Sequence, residues 1–207
     1  MLTQRRTGAA SACLVLGLSF ACILTTSSPA GATTLRRMDL SSLVSHSSRV
    51  LHARTISNQT YWDATHTRIY TDTVFEAIGE AKGTGPKRLT VTQLGGRIDP
   101  LEMSVDGTPT FMVGEEVMLF TEPSPEGNNM IVGLSQGVMR VKADPATGAR
   151  FAVSEVPARV TFVGGRPEKA TVALDDLFQQ VRQLAGAPGD AGKRPATDPV
   201  RPDGGKP

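Results

Sequence analysis

The chain has 207 residues, with 22 basic and 20 acidic side chains and only two cysteines. Both cysteines, Cys13 and Cys22, and two of the arginines, Arg5 and Arg6, fall within residues 1–32, so the remainder carries 20 basic against 20 acidic groups and no thiol. That balance lacks the footprint of a nucleic-acid binder, and the missing thiols exclude disulfide stapling, thiolate catalysis, iron–sulfur ligation and cysteine-rich zinc sites.

Residues 1–32 begin Met-Leu-Thr-Gln-Arg5-Arg6, run apolar and uncharged from about Gly8 to Ile23 and Leu24, and end Pro29-Ala30-Gly31-Ala32. A basic start, an apolar middle and a small-x-small exit predict a secretory signal peptide, cleaved after Ala32 with Ala30 and Ala32 as its small residues. Phe20 is too bulky to precede Cys22 in a lipoprotein acceptor, and Thr7-Gly8 stands where a twin-arginine signal has Phe or Leu. The apolar run is near the lower limit for a membrane span, and the Ala-Gly-Ala exit argues against an uncleaved anchor. The expectation is a periplasmic or secreted domain over 33–186, with no membrane span after cleavage.

Residues 33–48 are polar except for a short apolar pattern. Asp39 is a candidate N-cap for a brief helix that places Leu40, Leu43 and Val44 on one side. From Arg49 to about Phe162, short β-branched and apolar runs alternate with Gly, Pro, Asn and Asp punctuation, which predicts successive strands. They are Val50 to Tyr61, Arg68 to Ile78, Leu89 to Leu94 and Leu101 to Val105. Then come Glu116 to Phe120, Met130 to Leu134, Val138 to Val141, Phe151 to Val153 and Arg159 to Phe162. Asp63–His66 reads as a hairpin connection, Lys82–Pro86 and Pro123–Asn129 as loops, Gly95-Gly96 and Gly164-Gly165 as turns, and Asp144–Gly148 as a turn by composition. The nearly continuous apolar run Val117–Phe120 predicts burial on both faces.

Near Ala170 the texture changes. Leu174, Leu177, Phe178, Val181 and Leu184 form a helical stripe with Asp175 and Asp176 in its first turn, which predicts a helix over about 173–185 ending at Gly186. Residues 187–207 hold Pro, Gly and charged groups with almost nothing to bury, and a disordered tail is expected there. The fold class that follows is mostly β: a small antiparallel, OB-like barrel or sandwich with a short N-terminal helix and one C-terminal helix.

No catalytic, cofactor or metal site is predicted. His46, His52 and His66 lack metal-ligand spacing and read as surface or strand histidines; an enzyme with a cryptic site around His52, His66 and nearby acids, with His66 beside Asp63 or Asp72, is the third reading. Gly133-Leu134-Ser135-Gln136-Gly137 has the spacing of a nucleophile elbow, but strand pattern follows where a helix is required and no histidine comes after the serine. A glycine-flanked bend between two strands is expected instead. Asp175 and Asp176 point about 100° apart on a helix and do not form a carboxylate pair. Asn58-Gln59-Thr60 matches a glycosylation sequon. Tyr61 and Trp62, near a hairpin tip, are the candidate partner contacts.

Trp62-Asp63 with Arg68-Ile69-Tyr70-Thr71, then Thr92–Gly96, Phe111 with Gly114–Phe120, and Val132–Gly137 resemble a family of uncharacterised exported bacterial proteins, over roughly residues 40–143 and the terminal helix. The order of elements is also loosely similar to the OB-like barrel of netrin-type modules and tissue inhibitors of metalloproteinases. Those inhibitors chelate the protease zinc through an N-terminal cysteine, which a chain beginning near Thr33 lacks, so that mechanism does not transfer. The expected function is an exported non-enzymatic β-barrel module that binds a protein or envelope component. The alternative is a protease inhibitor or protease-associated protein acting through Pro123–Asn129 or Asp99–Pro109.

Overall fold

The computed structural model describes residues 33–186 except Glu126. The expected leader, with Ala30, Ala32 and both cysteines, and the 187–207 tail lie outside the described residues. Strand β1 (Thr33–Arg36) leads to helix α1 (Leu40–His46) and to two long strands, β2 (Arg49–Trp62) and β3 (Ile69–Lys82). Then follow β4 (Arg88–Leu94), β5 (Gly96–Ile98), β6 (Leu101–Met103), β7 (Glu116–Pro123) and β8 (Asn129–Ile131). A 3-10 turn over Leu134–Gly137, β9 (Val138–Ala143), β10 (Arg150–Ser154), β11 (Val160–Val163), β12 (Thr171–Ala173) and α2 (Leu174–Gly186) complete the order.

Five strands close a barrel in the ring order β7-β2-β3-β4-β8-β7. The neighbours run antiparallel except β4 and β8, which meet in parallel at Val91 and Asn129. This is the OB-like arrangement, closed by one short parallel contact. Beyond β8 the same β7 pairs with β9, and β9, β10 and β12 extend the sheet away from the barrel. The strands β1 and β11 form a separate parallel pair. Register shifts along β2 and β3 bend the two long strands; at one of them β3 passes over Ile78, which is left 47% exposed.

Strand β7 sits where the two parts of the sheet meet, and its alternate side chains enter two cores. Val117 and Leu119 join Leu51, Phe75, Leu89, Val91 and Phe111 inside the barrel. Met118 and Phe120 join Val50, Met139, Ala152, Leu43, Val44, Leu174, Leu177 and Val181 between the sheet and the two helices. The apolar run of β7 is therefore buried on both faces, as its texture predicts.

The helices are fixed by local chemistry. Asp39 caps α1 by accepting the Ser42 amide at 2.7 Å. At the other end the Lys82 ammonium, reaching from β3, donates to the carbonyls of Val44 and Ser47, both at 2.6 Å. Burial lowers the pKa of that ammonium. The stripe of α2 packs Leu174, Leu177 and Val181 inward, and Arg182 covers part of the β3 edge by donating to the Glu80 carbonyl at 3.4 Å.

Strands β1, β5 and β12 are too short and too polar to be read from pattern. The segment over Thr33–Arg36 is held instead by β11 and by one side chain. Gln136 accepts the Met38 amide at 2.9 Å and donates to the Arg36 carbonyl at 3.0 Å, as a neighbouring strand would.

Candidate functional site

The three histidines do not converge. His46 ends α1, with Nδ1 2.8 Å from the Ser42 carbonyl. His52 is buried on β2, and His66 stands at the tip of the β2–β3 hairpin, its ring stacked on Trp62 at 6.2 Å. Ten residues of strand separate His52 from Trp62, about 33 Å at 3.3 Å per residue. Among the described residues no group of three or more His, Cys, Asp or Glu side chains is placed to hold a metal ion.

The Gly133–Gly137 segment is the expected glycine-flanked connection, in the form of a 3-10 turn between β8 and β9. A Cβ at Gly137 would run into the Val132 carbonyl oxygen, so the second glycine answers a close backbone approach rather than a catalytic turn. The Ser135 hydroxyl is buried, with no hydrogen-bond partner among the described residues. Asn58, the sequon residue, uses its amide nitrogen to donate to the Phe111 carbonyl at 2.8 Å, while its oxygen accepts from Thr73 at 2.8 Å. Asp175 and Asp176 occupy the first turn of α2.

The hairpin that carries Tyr61 and Trp62 is held by Asp63. One carboxylate oxygen accepts the amides of Thr67 and Arg68 at 2.7 and 3.0 Å, and the other accepts the hydroxyls of Thr65 and Thr67 at 2.8 and 3.1 Å. The Arg68 amide first, and then Thr65 and Thr67, outweigh an opposing effect of burial and bring the Asp63 pKa down to about 2. Trp62 faces Ile69 across the ladder and is half-buried.

Tyr61 lies on the outer surface. It sits opposite Tyr70, which in turn sits opposite Leu94, so the three side chains form a row across β2, β3 and β4. The tyrosine rings stack at 6.2 Å and 25°, and Tyr61 and Leu94 are each 36% exposed. A polar chain runs beside them. Asp72 accepts the Thr92 hydroxyl at 2.6 Å and the Tyr61 hydroxyl at 3.3 Å, and the Asn128 amide donates to Thr92 at 2.8 Å. Burial and the negative charge of Asp72 raise the Tyr61 pKa, which keeps the phenol protonated and able to donate.

Inside the same end of the barrel the lining turns from apolar to polar. Asn58, Thr71, Thr73 and Gln93 line a cleft of about 300 Å³ with Val105 and Phe111. Phe111 packs edge-on against Phe75 at 4.9 Å to floor it. The Gly95-Gly96 turn crosses above; a Cβ on Gly96 would strike Thr71 and Thr60, so the close approach requires glycine. Of the two loops considered for protease inhibition, Asp99–Pro109 carries β6 and borders this cleft, and Pro123–Asn129 joins β7 to β8.

One cluster has no signal in the sequence, because its members come from three strands distant along the chain. Glu116 on β7 receives Arg54 of β2 at 2.6 Å, Arg150 of β10, and His52 Nε2 at 3.0 Å. Arg150 also lies 3.1 Å from the same imidazole nitrogen. Burial first, and then the Arg150 charge, lower the His52 pKa and favour the neutral ring. The His52 side chain is 3% exposed, but Arg54 and Arg150 are 52% and 41% exposed.

No protein-family model matches this chain, and no curated protein matches it.

Proposed function

We propose that the chain is an exported, non-enzymatic β-barrel module that binds a protein or another envelope component through the outer face of β2, β3 and β4. The carrying observation is the stacked, partly exposed Tyr61–Tyr70 pair in line with Leu94. Two aromatic rings and a leucine in a row form an apolar platform, and the Asp72–Thr92–Asn128 chain supplies oriented polar groups at its edge. Surfaces of this kind, rigid aromatics bordered by satisfied hydrogen-bonding groups, are where binding energy concentrates. The outer strand face of an OB-like barrel is also a recurrent binding surface, an analogy of fold alone.

Export rests on the basic, apolar and small-residue order of residues 1–32. The likeness to exported bacterial proteins belongs to the same proposal. Among the described residues no helix is long and apolar enough to cross a membrane.

The test is expression of the full chain in a bacterial host, followed by fractionation and affinity capture from periplasm and medium. The expected result is a processed product outside the cytoplasm and a partner that the Tyr61→Ser/Tyr70→Ser double variant recovers at least about tenfold less well. Equal recovery by both proteins would reject the tyrosine face as the binding surface.

A further inference from the structure

We infer that the cleft at the polar end of the barrel is a binding site in its own right, and that it takes a small uncharged molecule carrying a carboxamide on an apolar body. It is separate from the tyrosine face, which lies on the other side of the same strands. Gln93 follows the buried Val91 on the interior side of β4 and stands opposite Thr71, whereas Tyr70 and Leu94, one position on, belong to the outer row.

The walls of the cleft are tied in place. The Gly95 amide donates to the Ile69 carbonyl at 2.8 Å, and the Gly95 carbonyl accepts the Thr71 hydroxyl at 2.7 Å. On the facing loop the Gly107 carbonyl accepts the Ser135 amide at 2.9 Å, and Arg140 donates to the Thr110 carbonyl at 2.8 Å. Asn58 then ties that loop back to β2 through the Phe111 carbonyl. A cleft fixed on both sides has little conformational entropy left to lose on binding. Its volume, about 300 Å³, is at the lower end of the range for small-molecule sites, and barrel mouths are where such sites occur.

The lining selects the occupant in two ways. Of its interior polar side chains, Asn58 and Thr73 bond to each other and Thr71 bonds to Gly95, but the Gln93 amide has no hydrogen-bond partner among the described residues, although it is half-buried. A carboxamide group offers a donor and an acceptor side by side, which a second carboxamide matches reciprocally. Met103, Val105 and Phe111 supply apolar surface for the rest of the molecule. Charge selects against ions of either sign. The charged side chains that line the cleft are Arg97 and Glu102, exposed and opposite each other on β5 and β6, and Arg97 is also held by Asp99 at 3.0 Å. Among the described residues none of the interior lining is ionised, so an ion entering the cleft would shed water without gaining a counter-charge.

The test is an NMR titration of the isotope-labelled protein, expressed from the full chain, with four molecules of nearly one shape: benzamide, acetophenone, benzoate and benzamidine. Of the four, only benzamide offers an uncharged donor–acceptor pair. It is expected to bind at least about tenfold more tightly than each of the others, which leave a polar group unpaired or an ion desolvated. Its signature is movement of the Gln93 side-chain amide signals, with Overhauser contacts from its ring to the Val105 methyl groups. Gln93→Leu is expected to weaken benzamide at least about tenfold and to bring it level with acetophenone. The Overhauser contacts need no variant, and they decide the matter if Gln93→Leu fails to fold. Absence of saturable benzamide binding, or equal or tighter binding of any of the other three, would overturn the inference. Contacts to Tyr61 and Tyr70 in place of Val105 would also overturn it, by placing the molecule on the outer face. Tyr61→Ser/Tyr70→Ser should leave benzamide binding unchanged, so this result stands or falls apart from the tyrosine face.

Discussion

Met118 and Leu119 are adjacent on β7, both fully buried, and belong to different cores: Met118 packs under α1 and α2, and Leu119 fills the barrel. Met118→Ala and Leu119→Ala should each cost about 2–5 kcal/mol, as large-to-small core changes do. Hydrogen exchange separates them. Met118→Ala should speed exchange in the helices before the barrel, and Leu119→Ala the barrel amides around Phe75 and Val91. The same pattern for both variants would contradict a two-sided β7.

Neighbouring residues of the 3-10 turn carry unequal weight. Gln136 holds main-chain groups of Arg36 and Met38, whereas the Ser135 hydroxyl has no partner among the described residues. Gln136→Ala should cost about 1–3 kcal/mol and accelerate exchange of the Met38 amide. Ser135→Ala should be close to neutral in chemical denaturation, since it removes a buried group that makes no hydrogen bond.

The cluster around Glu116 predicts acid sensitivity. His52 has an ordinary pKa of 6.5 when unfolded and a lower one in the fold. Between those values the unfolded chain binds more protons, so stability should fall as pH drops below about 6.5 and level off beneath the folded value. Burial acts to raise the Glu116 pKa, but Arg54, Arg150 and His52 outweigh it and hold it below 4.5, which adds a further loss in stronger acid. Urea titrations at stepped pH should show the first loss in wild type and not in His52→Gln. A loss of stability setting in just below pH 6.5 that survives His52→Gln would contradict the assignment.

Asp63 is a second acid-labile point, at the hairpin tip. Its pKa falls from 3.8 to about 2 in the fold, so its contribution is present above 3.8 and is lost as pH falls through 2. Asp63→Ala should loosen residues 63–68, seen as faster amide exchange at Thr67 and Arg68, and leave the Phe75 core unchanged.

What pattern could reveal here was local. The Asp39 cap, the α2 stripe, the two-faced run of β7 and the glycine connection at 133–137 depend on residues within a few positions of one another, and they appear where their spacing places them. Strand β1 lies against β11, and the Arg54–Glu116–Arg150 cluster joins β2, β7 and β10. These contacts are made by the fold and leave no periodicity behind. The parallel closure of β4 on β8 rests on one residue pair and is equally invisible in the chain. Tyr61 could be singled out as an aromatic near a hairpin tip, but Tyr70 and Leu94 join it only through the register of three strands.

The central claim, that the outer tyrosine face is a binding surface, is tested most directly by site-specific photocrosslinking in the exported chain. A photoreactive phenylalanine analogue is placed in turn at Tyr61, Tyr70 and, as a control, Glu168, which is exposed on the 164–170 segment. The predicted result is one discrete adduct from positions 61 and 70 that is absent from 168. Adducts of equal yield from all three positions, or none from 61 and 70, would contradict it.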